Sequence, residues 1–223
     1  GYENSLVGAG MAPAYTDDEL PAFLVLLAAP GVPGHEVLRE QMQQILLSEG
    51  ISAVNTDRIC EAQGQLLDAL LADASDEEVR AKIVALQDLQ FKVNGIYESM
   101  SNEQRAEAAD LALMSMKEPW MVSFIRLDPR DALRKVSMPV LAVNGTLDTQ
   151  VFYKQNLFEI ERVLQEAGVE PTIMQKDGLN HLLQPAVTGA VSEYSRIDIT
   201  MDEDLMSAIV DWINELPNED KKP

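Results

Sequence analysis

The sequence predicts an α/β protein that has a few parallel strands with flanking helices and an all-helical insertion. Two apolar runs, 22–29 and 138–144, are each followed at once by a glycine-containing turn, as is typical of strands buried in a parallel sheet. A weaker strand is predicted over 171–175, and the stretch 151–167 before it has helical periodicity. Strand, helix and strand in this order form the right-handed crossover unit of a parallel sheet.

The first predicted strand, 22–29, is continuously apolar, so we expect it to be buried on both faces of the sheet. The prolines and glycines of 30–34 end it in a turn. The crossover helix 151–167 ends before Gly168, a usual position for glycine after a helix. Three strands are few for a buried parallel sheet, so a further stretch of chain or a partner is expected to complete it.

The insertion is predicted to be helical over its whole length, 36–117, and to form a cap or lid above the sheet. Ser75 and Ser101 are expected to cap two of its helices, because each precedes an acidic or amide side chain at capping-box spacing. Apolar periodicity places the helices at 37–47, 57–72, 76–93 and 102–116. The alternative is that these helices serve only structural packing.

The last predicted helix is amphipathic and covers 202–216, with Trp212 on its apolar stripe. Trp120 and Trp212 are both expected to anchor the core. The predicted organisation is therefore a core formed by 1–35 and 118–216, a helical insertion at 36–117, and a polar tail at 217–223.

Composition excludes several classes of partner. The chain has 37 acidic and 17 basic side chains, a formal charge of -20, and 46% hydrophobic residues, so it is predicted to be globular and to bind neither nucleic acid nor membranes. A lone cysteine, Cys60, and only two histidines, His35 and His181, favour neither a metal site nor any other cofactor. No signal peptide is visible, which predicts a cytoplasmic protein unless a leader precedes this sequence.

Two side chains that could act together follow the second and third predicted strands. Asp148 lies in the loop Gly-Thr-Leu-Asp after the second strand, and His181 lies in the loop Asp-Gly-Leu-Asn-His after the third. Ligands of open α/β sheets bind at the carboxyl ends of strands, and a carboxylate there can orient an imidazole as a general base. The alternatives are that Asp148 caps the following helix and that His181 is an ordinary structural histidine.

Several segments carry a resemblance to a known family. They are LLAAPGVPG at 26–34, WMVSFIRLDP at 120–129, ALRKV at 132–136, MPVLAVNGTLDTQV at 138–151 and GLNH at 178–181. In order and spacing they resemble the C-terminal half of α/β-hydrolases, in the branch of serine aminopeptidases and dienelactone hydrolases. The resemblance implies a partial α/β-hydrolase fold with a helical lid, hydrolysis of an ester or amide, and Asp148 and His181 as the catalytic acid and base.

The resemblance also implies a nucleophilic serine on a Gly-x-Ser-x-Gly turn, roughly 20 residues before Phe23. That place is occupied by Gly-Tyr-Glu-Asn-Ser at 1–5. Ser5 would be flanked by Glu3 and Val7 where the tight turn requires glycines, and the motif occurs nowhere else in the sequence. The isolated chain is therefore expected to be inactive, for want of a nucleophile turn and of the segment that donates to the oxyanion.

The sequence leaves three hypotheses open. The first is a hydrolase-family chain whose substrate is a small ester or a peptide-like molecule. The second is a non-catalytic binding or interaction protein that dimerises through an exposed sheet edge, and a homo-oligomer is expected under either view. The third and weakest is an enzyme of unrelated chemistry that uses Glu3 or another carboxylate.

Overall fold

The computed structural model describes residues 21–217, which fall into two units. One unit contains 21–32 and 129–217 and is called the sheet unit. The other, Pro33–Asp128, is called the helical unit. The chain thus leaves the sheet unit after its first strand and returns to it before the second.

The sheet has three strands in the order β1 (Leu24–Leu27), β2 (Val140–Gly145) and β3 (Thr172–Lys176). Both pairings are parallel, with Leu24 beside Val140 and Leu141 beside Thr172. The helix α7 (Tyr153–Glu166) joins β2 to β3. The predicted α/β class with parallel strands and a helical crossover is confirmed.

The central strand β2 is buried along its whole length because helices cover both faces of the sheet. Val140 and Ala142 point into a cluster that contains Ile160 and Leu164 of α7. Leu141 and Val143 point to the opposite face, where Leu205, Ile209 and Trp212 of the last helix, α8 (Glu203–Glu215), pack. This alternation follows from the two-residue period of a strand.

Strand β1 is shorter and less buried than the sequence predicts. It pairs only with β2 among the described strands, and Leu24, Val25 and Leu27 are partly exposed while Leu26 is buried. The strand ends at Leu27, since the next residue, Ala28, has a positive φ of 47 degrees that an extended strand does not allow. The expectation of burial on both faces is wrong for the described residues.

The helical unit contains α1 (Gly34–Ser48), α2 (Ala53–Leu71), α3 (Asp76–Val93), α4 (Asn102–Met116) and α5 (Pro119–Arg126). Its core is a cluster of aliphatic side chains that includes Ile59, Val79 and Ile83. Both predicted serine caps are confirmed, since Ser75 accepts a bond from the Glu78 amide and Ser101 forms a full capping box with Gln104. These caps explain why α3 and α4 begin where the sequence predicts.

Two features were not predicted. The sequence analysis assigned no helix to α5, which starts with Pro119 at a position that suits proline. A further single turn, α6 (Arg130–Leu133), follows in the sheet unit.

The prediction that Trp120 anchors a core is wrong, since it is 57% exposed. Trp212 does pack on the sheet, where its indole donates to Thr172 Oγ1 at 2.9 Å. Within 21–217 no helix has the length and apolarity that crossing a membrane requires.

Candidate functional site

The loops that follow β2 and β3 meet at the carboxyl edge of the sheet, as the parallel pairing requires. The Leu147 amide donates to the Leu179 carbonyl at 3.0 Å, and the Gly178 amide donates to Thr146 Oγ1 at 3.0 Å. Gly145 permits this approach, because a Cβ there would lie 2.1 Å from the Leu179 oxygen. The glycine at the end of β2 is thus needed for close contact between the two loops.

Asp148 is itself buried within the turn that carries it. Its Oδ1 accepts hydrogen bonds from the amides of Gln150 and Val151, each at 2.8 Å. Asn144 supports the same turn from the end of β2, because its side chain donates to the Val151 carbonyl and accepts from the Gly145 amide. The side chain of Asp148 has no exposed surface, so the carboxylate depends on these donors and on one further partner.

That partner is His181, whose Nδ1 lies 2.9 Å from Asp148 Oδ2. With a carboxylate as acceptor, Nδ1 carries the proton and donates it, which assigns the lone pair of the neutral ring to Nε2. The imidazole is largely covered, with 11% of its side chain exposed. The structure therefore brings together the two side chains that the sequence analysis singled out, in the arrangement that lets an acid orient a base.

The loop around His181 is fixed by Asn180, which is completely buried. Its Oδ1 accepts from the amides of Leu182 and Gln184, each at 3.0 Å, and its Nδ2 donates to Gln184 Oε1 at 3.1 Å. Leu183 adopts a positive φ of 58 degrees within this turn. The backbone that carries the imidazole is therefore fixed on both sides of the histidine.

A segment after the histidine loop, 187–196, passes over the acid loop and is called the strap. Gly189 crosses at close range, since a Cβ there would lie 1.9 Å from the Leu147 oxygen, and Thr149 Oγ1 donates to the Gly189 carbonyl at 3.1 Å. Glu193 closes the turn of the strap by accepting bonds from the Thr188 hydroxyl and from backbone amides of 187–189. The strap helps to explain the complete burial of Asp148.

The capping alternative for Asp148 turns out to coexist with the pairing. Oδ1 does satisfy backbone amides, but those amides belong to the turn before α7 rather than to the helix itself, whose first residue is Tyr153. Oδ2 is directed to the imidazole. The two oxygens thus serve two purposes, and a turn-capping role does not compete with the orientation of His181.

The structure adds side chains that the sequence analysis did not name, in particular Asn144, Asn180 and Gly189. An asparagine that closes an apolar strand or directly precedes a loop histidine is the sequence signal that could have revealed the first two. The close crossing at Gly189 depends on tertiary structure. Ser5, the candidate nucleophile, and Glu3, the carboxylate of the third hypothesis, lie outside the described residues. His35 lies in the first turn of α1, where its Nδ1 is 3.2 Å from the Ile125 carbonyl.

No three histidine, cysteine, aspartate or glutamate side chains come together as a possible metal site anywhere in the described range. What the pair can do chemically is accept a proton at Nε2 of His181 while the buried carboxylate stabilises the imidazolium that forms.

No family model matches the sequence, and no curated protein matches it. Among solved structures, the esterase RhEst1 from Rhodococcus sp. ECU1013 has 16% identity and a TM-score of 0.40, with 97% of this chain and 64% of that chain covered. A point mutant of esterase E22 has 13% identity and a TM-score of 0.35, with 86% and 56% covered. The chain thus spans less than two thirds of either esterase structure. At these scores neither similarity establishes the family or the reaction of this chain.

Proposed function

We propose that this chain is an α/β-hydrolase-type protein in which His181 is the general base, and Asp148 its orienting acid, for hydrolysis of a small ester or a peptide-like amide, and that it retains measurable activity although the sequence lacks the nucleophile motif. The observation that carries the proposal is the 2.9 Å contact between His181 Nδ1 and Asp148 Oδ2 at the carboxyl edge of a parallel sheet. Open α/β sheets bind their ligands at this edge.

The burial of the acid supports the assignment of roles. An ionised carboxylate without solvent needs donors, and Asp148 has two backbone amides on one oxygen and the imidazole on the other. The amides do not move with the reaction, so they hold the carboxylate in place while the imidazole gains and loses a proton. His181 would take the proton of an attacking hydroxyl or water and then pass it to the leaving group, which is acyl transfer.

The test compares hydrolysis of p-nitrophenyl acetate and butyrate by the wild-type chain with hydrolysis by four variants. His181→Ala and Asp148→Asn are expected to lower kcat/KM by about 1,000-fold, since general-base catalysis and its orientation are worth that order. His35→Ala and Asp177→Asn are the matched controls, because His35 is the other histidine and Asp177 is an exposed aspartate in the histidine loop. Both controls are expected to keep the wild-type rate.

A fluorophosphonate label in the same preparations addresses the nucleophile. Labelling of one serine that depends on His181 would identify it, and Ser5 is the candidate from the sequence analysis. The absence of any label, together with equal hydrolysis rates for the wild type and the four variants, would contradict the proposal that this chain is a hydrolase. That result would agree with the predicted inactivity and favour the second candidate.

The second candidate is a non-catalytic interaction protein that dimerises through the sheet edge at β1. It is favoured by the partial exposure of Leu24, Val25 and Leu27 on a strand whose amides at 24 and 28 bond to the β2 side. Strand alternation directs the Val25 amide to the other side, where a second copy could accept it. Val25→Pro should therefore abolish a dimer seen by light scattering, whereas Val25→Ala should retain it.

A further inference from the structure

The strap brings one more polar side chain, Tyr194, to the loop that carries the acid. Its hydroxyl accepts a hydrogen bond from Gln150 Nε2 at 2.9 Å. Gln150 is also a residue whose backbone amide donates to Asp148 Oδ1. Tyr194 therefore holds the side chain of a residue whose backbone supports the buried acid.

The acid loop is tied at two levels as a result. Close to the strands, the Leu147 amide bonds to the Leu179 carbonyl of the histidine loop, before Asp148 in the chain. The hydroxyl of Tyr194 ties the acid loop again at Gln150, two residues after Asp148, from a strap that follows the histidine loop in the chain. With only the first tie, the acid loop could still turn about it.

The hydroxyl is suited to this task in its neutral form. Burial raises the pKa of the Tyr194 phenol above its ordinary value, and the nearby charge of Asp148 acts in the same direction, against the bond from Gln150. Tyr194 thus stays protonated at neutral pH. A neutral phenol hydroxyl can accept the bond that the Gln150 amide donates.

We propose that Tyr194 is a positioning residue, whose hydroxyl fixes the acid loop at Gln150 so that Asp148 Oδ2 stays bonded to Nδ1 of His181. It touches no reacting atom. The catalytic consequence rests on the proposed function, but the effect on the acid–histidine contact does not. Since a displacement of about 1 Å at a catalytic group can cost roughly 100-fold in rate, a partial loosening is expected to cost about 10-fold.

The test uses Tyr194→Phe, which removes only the hydroxyl, and Gln150→Met, which removes its donor at similar length. Tyr153→Phe is the control. Tyr153 is a partly buried tyrosine of the same unit, and it packs against the cluster on the sheet face that α7 covers. The readout is solvent exchange of the His181 Nδ1 proton, followed by NMR and assigned by its loss in His181→Ala. Tyr194→Phe and Gln150→Met are each expected to speed this exchange about five-fold, the worth of one ordinary hydrogen bond.

The double variant distinguishes a shared contact from two separate ones. If Gln150 and Tyr194 act through one bond, the double variant exchanges no faster than Tyr194→Phe alone. In the esterase assay kcat is expected to fall about 10-fold at unchanged KM, because the hydroxyl does not bind substrate. Thermal unfolding shows whether each variant folds. If Tyr194→Phe does not fold, Gln150→Met alone tests the positioning role.

The results separate the two proposals. Faster exchange in Tyr194→Phe, with no hydrolysis by any protein including the wild type, would support the positioning role and contradict the proposed hydrolase. Exchange equal to that of Tyr153→Phe would overturn the positioning role, whether or not kcat falls. A fall in kcat with unchanged exchange would mean that the hydroxyl acts on something other than the acid–histidine contact.

Discussion

The two units differ in how they treat buried polar side chains. Within 21–217 the sheet unit buries six of them, and each has hydrogen-bond partners for its side chain: Asn144, Asp148, Thr149, Asn156, Asn180 and Gln184. The helical unit buries only Thr56 and Gln63, and Thr56 Oγ1 and Gln63 Oε1 have no hydrogen-bond partner there. Burying a polar group is costly unless it is bonded, so the satisfied set marks where the fold maintains a polar structure.

Five of the six satisfied side chains lie in or beside the loops that hold Asp148 and His181. Asn144 and Thr149 support the acid loop, and Asn180 and Gln184 form the turn that carries the histidine. The helical unit instead combines an aliphatic core with exposed ion pairs, such as Arg39 with Asp68. Exposed pairs of this kind contribute about 0–1 kcal/mol each. The comparison indicates that apolar packing stabilises the helical unit, whereas the sheet unit also maintains a preorganised polar site.

The largest effect on stability is expected from Asn180→Ala. The change leaves the amides of Leu182 and Gln184 without their acceptor in a buried turn, which should lower the free energy of unfolding by about 2–4 kcal/mol. Urea unfolding followed by circular dichroism measures this. Asn94→Ala is the control, because Asn94 is exposed after α3, and its cost should stay near 0.5 kcal/mol. Equal losses in the two variants would contradict the distinction between the units.

A matched pair of threonines tests the same distinction with opposite signs. Thr149→Val removes the donor to the Gly189 carbonyl in the sheet unit and should cost about 1–2 kcal/mol. Thr56→Val removes a buried hydroxyl that has no partner in the helical unit, so the free energy of unfolding should rise by about 0.5–1 kcal/mol. The midpoints of urea unfolding of both variants, compared with that of the wild type, measure these two changes. A loss of stability in Thr56→Val would mean that this hydroxyl does have a partner in solution.

Much of the fold follows from local patterns in the sequence. The helices α3 and α4 have the bounds that their serine caps and apolar spacing predict, and β2 was predictable because a central parallel strand is continuously apolar. Strand β1, which pairs with a single strand within 21–217, misled the prediction, since an apolar run does not reveal how many neighbours a strand has. Trp120 misled it for a similar reason, because residue type alone does not determine burial.

The candidate site was predictable only in part. Asp148 and His181 could be singled out because each follows a strand, and parallel strands bring such loops to one edge. The strap could not be predicted. Gly189 and Tyr194 reach the acid loop through tertiary contacts between residues 40 or more positions apart. No periodicity or motif records a contact of that kind. The catalytic role of the pair stays a prediction until hydrolysis is measured.

The smallest expected effect concerns the strap and depends on pH. Burial alone would raise the pKa of the Glu193 carboxyl, but the Thr188 hydroxyl and the amides of 187–189 donate to it and hold the pKa below its ordinary value. A carboxyl whose pKa is lowered in the folded state stabilises the protein above the unfolded-state pKa, and this contribution is lost as the pH falls through the folded-state value.

Glu193→Gln should therefore lower the free energy of unfolding at pH 7 by about 0.5 kcal/mol or less, since the carboxylate is largely open to solvent screening. At about pH 3, where carboxyls become protonated, the difference from wild type should shrink. Urea unfolding at both values measures it, and Glu215→Gln calibrates the removal of one negative charge from a strongly acidic chain. A difference that stays constant with pH would show that the contribution of Glu193 does not depend on its ionised carboxylate.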